Sequence, residues 1–423
     1  MTHDPTAAQT NPPQAESTQA KSTRAKSTRA NAKSGDTGGI DVRAVDGRRD
    51  RRAFLKFERD LYRDDPMWVP PIWDERKRLV GFKPHPFYND AEATAMLARR
   101  DGVVVGRVVA ITNHAHNRYH KENLGFFGFF ECVDDPDVAA ALMSAVEQHH
   151  RRDNRDAVRG PVHPSLNYEC GALVATDGAP PTFLIPHNHL YYDRLFKSCG
   201  YEKAQDVYCY DAHIEMLKNM DPKLKFVIEE ATRRFNVTAR PLSRKDFKRD
   251  IKIFLDLYNR SLSKTWGYVP ISDGEMQHQA AGLKHLLVPQ MTSIAEIDGE
   301  PVGAGFGLLD YNPIIKKIGG RLTPWGIARL LLGRKHLKRL RLVSANVLPE
   351  YQRWGLGLVT LARTLPGAID YGIEIGEFSW ILESNKLSWG TAERGGAHRT
   401  KTLRIYDKPL ERGDRPAAAE AST

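Results

Sequence analysis

The chain has 423 residues, a formal net charge of +10 and a pI of about 9.3. With 41% apolar and 27% charged residues, it has the balance of a soluble globular protein and the length for two or three domains. No apolar run approaches the length of a membrane span, and the polar first forty residues show no signal peptide, so a cytoplasmic location is expected. The positive charge favours an anionic partner, and CoA, nucleic acid and a membrane surface all qualify.

The cysteines show neither the spacing of metal ligands nor the disulfide framework of a small secreted domain. They are Cys132, Cys170, Cys199 and Cys209. We expect four reduced thiols and no bound metal.

Both ends of the chain are polar and of low complexity. Residues 1–38 contain the sequence AKSTR twice, at 20–24 and at 25–29, and residues 412–423 are rich in alanine. Neither segment has enough apolar surface to offset the entropy of ordering, so both are predicted to be disordered or flexible. The basic N-terminal tail is interpreted as a solubilising extension, and contact with nucleic acid is the alternative.

From residue 40 onward the chain repeats its own plan. Asp101-Gly102 and Asp298-Gly299 each separate two apolar strand patterns, and their offset is 298 − 101 = 197. Other matching features recur in the same order at offsets close to this one, including the ends of two amphipathic helix patterns at Leu61 and Leu257, where 257 − 61 = 196. These coincidences indicate a duplication, with one half at 39–211, a helical linker at 212–234 and a second half at 235–411.

Residues 342–357 read LVSANVLPEYQRWGLG and have the pattern of a strand, a glycine-bearing turn and a helix start. Pro349 ends the strand because it cannot donate a ladder hydrogen bond. Backbone N–H groups and the helix dipole converge at such a turn and form an anion site. Glycines at this place let a phosphate group approach the backbone closely.

This stretch resembles the pyrophosphate loop of the GNAT superfamily of acyl-CoA N-acyltransferases. The loop has the form Gln/Arg-x-x-Gly-x-Gly/Ala, and Gln352, Gly355 and Gly357 fill its fixed positions. The order of strands and helices in each half is also similar to that family. The resemblance implies a mixed α/β (α+β) fold with two tandem GNAT-like domains, each a twisted mixed sheet flanked by helices. It further implies acetyl-CoA as acyl donor, held by Val347, Leu348, Gln352, Arg353, Trp354, Gly355, Leu356, Gly357 and Asn385.

The first half lacks such a loop. Its corresponding strand is followed by Asp134, Asp135 and Asp137, whose carboxylates would repel a pyrophosphate and are suited to a helix start instead. We therefore expect the second half alone to bind the cofactor.

The sequence indicates the catalytic groups less clearly. Glu383, at the end of the strand after the loop, is a candidate general base, and an ordinary surface carboxylate is the alternative. The tyrosine that protonates the leaving thiolate in the GNAT family falls at Ala392 here and is absent; Tyr406 is the substitute candidate, with a packed strand residue as the alternative. Residues 160–171 (GPVHPSLNYECG) are expected to border the cleft between the halves, and a His163–Cys170 nucleophile pair is the less favoured mechanism.

The segment between Asp310 and Glu350 contains no acidic residue and nine basic ones. A helix is predicted inside it, capped by Thr323 and stopped by Gly333. We leave open whether residues 316–341 steer CoA, bind an acidic acceptor, lie on a membrane surface or form a solvated face.

Together these features favour direct transfer of an acyl group, expected to be acetyl, from acyl-CoA to an amine. Two alternatives remain at this level. One is a non-catalytic acyl-CoA-binding or regulatory protein, suggested by the missing tyrosine. The other is a binder of nucleic acid or of a membrane surface through the basic tail and residues 316–341.

Overall fold

The computed structural model describes residues 39–411. The two predicted flexible tails, 1–38 and 412–423, lie outside the described residues. No helix in the described part of the chain combines the length and the apolarity that a bilayer crossing would require.

The two halves have matching elements in the same order. The strands are β1 (Ile40–Ala44), β2 (Ala91–Arg100), β3 (Val103–Asn113), β4 (Leu124–Cys132), β5 (Ala157–Gly160), β6 (Val162–His163), β7 (Glu169–Cys170), β8 (Ala172–Thr176), β9 (Glu202–His213), β10 (Thr238–Arg240), β11 (Thr292–Ile297), β12 (Glu300–Leu309), β13 (Arg339–Val347), β14 (Ile375–Leu382) and β15 (His398–Pro409). The helices are α1 (Gly47–Leu61), α2 (Trp73–Leu79), α3 (His114–His120), α4 (Pro136–Arg152), α5 (Tyr192–Ser198), α6 (Ile214–Lys218), α7 (Pro222–Arg234), α8 (Phe247–Ser261), α9 (Asp273–Leu283), α10 (Asn312–Lys317), α11 (Pro324–Gly333), α12 (Leu356–Ala362), α13 (Leu365–Tyr371) and α14 (Lys386–Arg394). Short 3₁₀ helices lie at Pro86–Asn89, Pro289–Met291, Arg334–His336 and Pro349–Trp354.

The two Asp-Gly pairs form equivalent hairpin turns. Asp101 and Gly102 have φ of 51° and 80°, and Asp298 and Gly299 have φ of 51° and 82°. Positive φ at both central residues is typical of the type I′ turn, which Asp-Gly favours because glycine has no Cβ to strain. These turns join β2 to β3 and β11 to β12, as the repeat predicted.

The halves share one mixed sheet. Among the described residues its strand order is β1-β2-β3-β4-β5-β15-β9-β14-β13-β12-β11-β10, with β8 pairing with β15 beside this path. Each half contains one parallel pair, β4 with β5 and β13 with β14, while the neighbouring pairs are antiparallel. The fold is therefore mixed α/β with a mixed sheet flanked by helices, as predicted.

The last strands of the two halves change places. β15, the final strand of the second half, pairs with β5 of the first half, so that Tyr406 lies opposite Gly160. β9, the final strand of the first half, pairs with β14 of the second half, with Ile375 opposite His213. β9 and β15 also pair with each other. Because each half holds a strand of the other, the sheet runs continuously through both halves.

Several apolar clusters form the core. One occupies the second half and packs α8, α11, α12 and α13 on β11 to β13. The first half buries two clusters, one beneath α4 and α5 and the other beneath α1 and the Pro86–Asn89 turn. The segment between the halves, expected to be a helical linker, contains α6 and α7.

Candidate active site

The predicted cofactor loop is built as a 3₁₀ turn, a left-handed glycine and a helix start. Residues Pro349–Trp354 form the turn, Gly355 has φ of 81°, and α12 begins at Leu356. The N–H groups of Leu358 and Val359 donate to the Gly355 carbonyl, at 2.9 and 3.2 Å, which closes the first turn of α12. The earlier N–H groups of a first turn have no partner within the helix and are free to bind an anion.

Side chains fix this loop against the rest of the second half. Gln352 donates from Nε2 to the carbonyl of Val347 at 3.0 Å and to that of Ser261 at 3.1 Å. The Trp354 ring lies under the Arg234 guanidinium, 4.1 Å from its centroid, at the end of α7. Trp354 therefore anchors the loop to the linker helix. Leu348 and Leu356 are buried in the core, so their predicted cofactor roles would act through their backbone groups.

The strands β13 and β14 part directly beside the loop. They pair only from Arg339 opposite Ile375 to Leu342 opposite Phe378. Beyond that point residues 344–347 pair with β12 alone, while Ile381 and Leu382 pair with β9. One backbone edge of residues 343–347 is left open towards a gap. Such an edge can hydrogen-bond an extended ligand, as an added strand would.

The gap opens into a large cavity between the halves. Its volume is about 1830 Å³, which exceeds the roughly 300–1,000 Å³ usual for small-molecule pockets. Of the predicted cofactor residues, Val347, Gln352, Arg353, Gly355, Gly357 and Asn385 line it. Its apolar walls come from α8, α9 and α11 and include Ile251, Phe254, Met276, Leu283, Ile327 and Leu330.

The segment 160–171 borders this cavity, as predicted. His163 and Glu169 lie opposite each other in the β6–β7 pair, and both line the cavity together with Tyr168 and Cys170. Burial, reinforced by the Arg76 and Arg107 guanidinium groups, holds the pKa of His163 well below its ordinary value, so its imidazole is neutral. Burial raises the pKa of the Cys170 thiol to about 12, which makes it a poor nucleophile at neutral pH.

A buried ionic network supports this wall from the first half. Arg107 is fully buried and donates to Glu58 at 2.7 Å, and it lies 3.5 Å from Glu131. Burial raises the pKa of Glu131 to about 7, although Arg107 opposes the shift. Arg76 lies 3.4 Å from Glu58 and 3.8 Å from Glu169, and it too lines the cavity. Arg76 thus holds the Glu169 carboxylate at the cavity wall.

In the first half, the position equivalent to the gap between β13 and β14 is filled. β4 and β5 also part early, after Phe126 opposite Arg159. There the chain at β6 fills the gap, because a Cβ on Gly128 would lie 1.6 Å from the Val162 carbonyl oxygen. The start of α4 is already occupied by its own carboxylate, since Asp135 accepts from the N–H groups of the two residues after Pro136 and from Arg100. The described first half therefore presents no equivalent anion site.

The two predicted catalytic residues lie outside the cavity lining. Glu383 is hydrogen-bonded to Lys203 at 3.0 and 3.1 Å on the surface, and that bond lowers its pKa. Tyr406 is buried in the core of the first half and donates to Asp193 at 2.6 Å. Asn385 caps α14 by accepting from the Ser388 N–H at 3.2 Å. The roles of Glu383 and Tyr406 stay predictions, and the residue types alone could not reveal that Glu169 lines the cavity whereas these two residues do not.

The basic segment 316–341 is only partly a surface, because Arg339 and Arg341 lie inside the protein and Lys338 is paired with Glu374. Arg339 pairs with Asp211 at 2.7 Å and with Glu377 at 2.9 Å, inside the sheet. Arg341 is buried and donates to Ser379 and to the Phe183 carbonyl. Both lie on β13, where the side chains alternate into the protein rather than outward.

The cluster of Glu75, His85 and His278 at the cavity wall has the composition of a metal site, but its hydrogen bonds do not suit one. His85 Nδ1 accepts from the Phe87 N–H at 3.1 Å, so in the neutral ring Nε2 carries the proton. A protonated Nε2 cannot donate a lone pair to a metal ion. Glu75 and His278, which are 3.1 Å apart, are therefore interpreted as a hydrogen-bonded pair at the wall, with His85 buried behind them.

Comparisons with known proteins identify relatives of this chain. A scan against protein-family models finds no match. The chain is 31% identical over 375 residues to Protein YghO of Escherichia coli (strain K12), covering 87% of this chain and 95% of that protein. It is 30% identical over 372 residues to the Bacterial ceramide synthase of Caulobacter vibrioides (strain NA1000 / CB15N), covering 85% of this chain and 94% of that protein. This chain belongs to the family of these two proteins.

The fold of this YghO–ceramide synthase family member is also found among solved structures. A tandem GNAT protein from the clavulanic acid biosynthesis pathway superposes with a TM-score of 0.52 at 10% identity, covering 89% of this chain and 100% of that one. At such low identity the likeness shows the fold alone. The chain thus has the fold of a tandem GNAT protein, which is the fold that the loop and the internal repeat predicted.

Proposed function

We propose that this chain is an acyl-CoA-dependent N-acyltransferase that joins a long acyl chain to the amino group of a long-chain amine. The observation that carries the proposal is the apolar cavity, which continues from the cofactor loop through the gap between β13 and β14. The 30% identity to a protein named Bacterial ceramide synthase supports it, because a ceramide is the amide of a fatty acid and a long-chain amino alcohol.

The size of the cavity bears on the acyl donor. The resemblance to GNAT enzymes predicts acetyl-CoA, but an acetyl group at the proposed cofactor site would leave the apolar walls from α8, α9 and α11 uncovered. The walls are rich in leucine, isoleucine and phenylalanine, so extended alkyl chains would bury apolar surface along them. We therefore favour a long-chain acyl-CoA as donor over acetyl-CoA.

CoA would bind at the loop and along the open strand edge. The N–H groups of residues 352–357 would hold the pyrophosphate, and Arg353, which is exposed beside them, would add a positive charge. The pantetheine arm would lie along residues 343–347. In this proposal the thioester would lie in the gap, and Glu169 would line the same cavity.

Glu169 is the side chain that we assign as general base. The acceptor amine must lose a proton as its nitrogen attacks the thioester carbon, and a carboxylate at the cavity wall can take it. The new C–N bond forms, the C–S bond breaks, and the CoA thiolate leaves and takes up a proton. Arg76, 3.8 Å from Glu169, would keep the carboxylate in place. Cys170 takes no part, because its buried thiol resists ionisation.

CoA release, followed with a thiol reagent, tests the activity. Palmitoyl-CoA with a long-chain amino alcohol should give turnover and an amide detectable by mass spectrometry, whereas acetyl-CoA should react more slowly. If calorimetry shows that the protein binds acyl-CoA but no CoA is released, the non-catalytic alternative is favoured. Equal rates with acetyl-CoA and palmitoyl-CoA would contradict the long-chain assignment.

A matched pair of variants tests the base. Glu169→Gln should lower kcat by roughly 10²–10⁴-fold while leaving acyl-CoA affinity nearly unchanged, because the amide keeps the shape but cannot take the proton. Glu383→Gln is the control, since Glu383 lies at the surface against Lys203. If Glu383→Gln abolishes turnover and Glu169→Gln does not, the base assignment is wrong.

A further inference from the structure

An exposed apolar cluster lies on α11, beside the cavity. Trp325 is 83% exposed, Leu332 73%, Ile327 45% and Leu322 43%. Of the large hydrophobic side chains that are exposed in residues 39–411, these four fall within eleven consecutive positions. Contiguous exposed apolar surface of this kind marks a site of interaction.

The helix presents two different faces. Trp325, Arg329 and Leu332 follow one another at spacings of four and three residues and therefore share the outward face. On the opposite face Leu330 is buried in the core of the second half. Leu330, Ile327, Leu331 and the preceding Leu322 line the cavity, whereas Trp325 and Leu332 do not. One helix thus separates the cavity from the solvent.

The segment that carries the exposed cluster has only basic charged side chains. Residues 311–349 contain no aspartate or glutamate. Lys317, Arg321, Arg329 and Lys335 are exposed, and none of them forms an ion pair with a residue in the described part of the chain. Lys338, by contrast, is paired with Glu374. Unpaired basic side chains flanking tryptophan and leucine are complementary to anionic lipid headgroups over an acyl layer.

We propose that α11 and its flanks dock on the surface of an anionic membrane and admit lipid substrates to the cavity. Trp325 and Leu332 would enter the headgroup boundary, and Arg321, Arg329 and Lys335 would contact lipid phosphates. With ten residues, α11 is about 15 Å long, too short to cross a hydrocarbon core of about 30 Å, so it would lie in the plane of the interface. The delivery of substrate rests on the proposed function, but the docking itself does not.

Vesicle sedimentation of the full-length protein tests the docking. The wild type should bind vesicles of phosphatidylglycerol and phosphatidylcholine, and bind pure phosphatidylcholine much more weakly. The double variant Trp325→Glu with Leu332→Glu should bind the mixed vesicles at least about tenfold more weakly, because both apolar anchors become charged. Replacing Arg321, Arg329 and Lys335 by Gln should remove the preference for phosphatidylglycerol.

The control carries the same change elsewhere on the surface. Val103→Glu with Leu190→Glu alters two side chains that are 66% and 50% exposed and lie outside α11. This control should bind vesicles like the wild type, and all variants should keep the wild-type thermal midpoint. Wild-type protein that ignores the vesicles, or an α11 double variant that binds as well as the control, overturns the proposal. The proposal is also overturned if the wild type is a dimer, the α11 double variant is a monomer, and neither protein binds vesicles.

A second readout separates the docking from the enzymatic activity. With short, water-soluble acyl-CoA and amine, the α11 double variant should release CoA at close to the wild-type rate, because Trp325 and Leu332 do not line the cavity. With the long-chain amine embedded in vesicles, its rate should fall at least about tenfold. If the variant loses vesicle binding, and neither the variant nor the wild type releases CoA, the docking is upheld and the proposed function is rejected. Equal rates on embedded substrate would overturn the delivery role.

Discussion

Single residues decide whether the cofactor loop can form. Gly355 has φ of 81°, and a Cβ at this position would lie 2.4 Å from Cγ1 of Val227 on α7. Gly357, two residues later, has open space within 4 Å of its own Cβ position. Both glycines belong to the same motif, but only Gly355 is required by its conformation and by the contact with α7.

Gly355→Ala should therefore weaken both the fold and cofactor binding. The left-handed conformation costs an alanine roughly 1–2 kcal/mol, and the contact with Val227 must shift as well. We expect a lower free energy of unfolding and at least about tenfold weaker binding of acyl-CoA, measured by calorimetry. Gly357→Ala is the matched control and should keep wild-type stability. If the two variants behave alike, the geometric role of Gly355 is wrong.

A buried histidine links stability to pH. His150 packs against Gly125 and shares a hydrogen bond of 2.9 Å with the Phe126 carbonyl oxygen. Burial lowers its pKa from an ordinary value of 6.5 to about 4, although the hydrogen bond to Phe126 opposes the shift. Between these values the unfolded chain binds the proton and the folded chain does not. Stability is therefore present above about pH 6.5 and is lost as the pH falls towards 4.

His150→Gln should make this dependence shallower. The amide can keep the donor to the Phe126 carbonyl but has no proton to gain, so up to about 3 kcal/mol of the difference between neutral pH and pH 4 should disappear. Urea unfolding at a series of pH values measures the slope for both proteins. Identical slopes would show that His150 is not neutral in the folded chain.

At the level of elements, the two halves use equivalent helix starts in opposite ways. α4 begins with its own cap, because Asp135 accepts the N–H groups of Asp137 at 2.9 Å and Val138 at 3.4 Å. α12 begins at Leu356, and its N-cap residue Gly355 has no side chain to fill the same place. A carboxylate occupies one helix start and no side chain occupies the other, so we expect the second half rather than the first to bind an anionic cofactor.

The variant Asp135→Ala tests this difference between the two helix starts. Loss of a helix cap costs about 0.5–2 kcal/mol, and the bond from Arg100 is lost with it, so urea unfolding should show a less stable protein. The affinity for acyl-CoA should stay within about threefold of the wild type, since the proposed cofactor site lies in the other half. A variant whose acyl-CoA binding falls in step with that of Gly355→Ala would contradict the division between the halves.

At the level of the whole molecule, the exchange of β9 and β15 makes the two halves one folding unit. β9 lies between β15 and β14, and β15 lies between β5 and β9. The ion pairs follow the same exchange, because Arg339 on β13 binds Asp211 on β9, and Arg159 on β5 binds Asp407 on β15. Neither half can complete its sheet without the other.

A cut between the halves should consequently leave the protein assembled. A protease site placed at 219–221, between α6 and α7, would divide the chain into fragments that each keep a strand in the partner's sheet. We expect the cleaved protein to elute as one species in size-exclusion chromatography and to keep its circular dichroism. Either fragment expressed alone should be poorly folded, because it would expose an unpaired sheet edge. Two independently folded fragments would show that the exchange is not needed.

Local signals in the sequence were sufficient for much of the fold. The Asp-Gly pairs determine both hairpin turns. Thr323 and Gly333 mark the start and the end of α11. Pro366 interrupts the helix after the loop, because α12 stops at Ala362 and α13 starts at Leu365. The turn that contains Gly355 and Gly357 was likewise predicted from neighbouring residues alone. Each of these features depends on the conformational preferences of a few neighbouring residues, so a short stretch of sequence determines it.

Only the tertiary structure decided the strand exchange, the cavity and the position of Glu169. The edges of β9 and β15 present the same backbone groups to either half, so their partners depend on packing between distant segments rather than on local pattern. Arg339 and Arg341 look like surface charges in the sequence, but their acidic and polar partners lie on other strands. Glu169 becomes a candidate base because the β6–β7 pair carries it to the wall of a cavity that distant segments of the chain line together, and no local pattern encodes that arrangement.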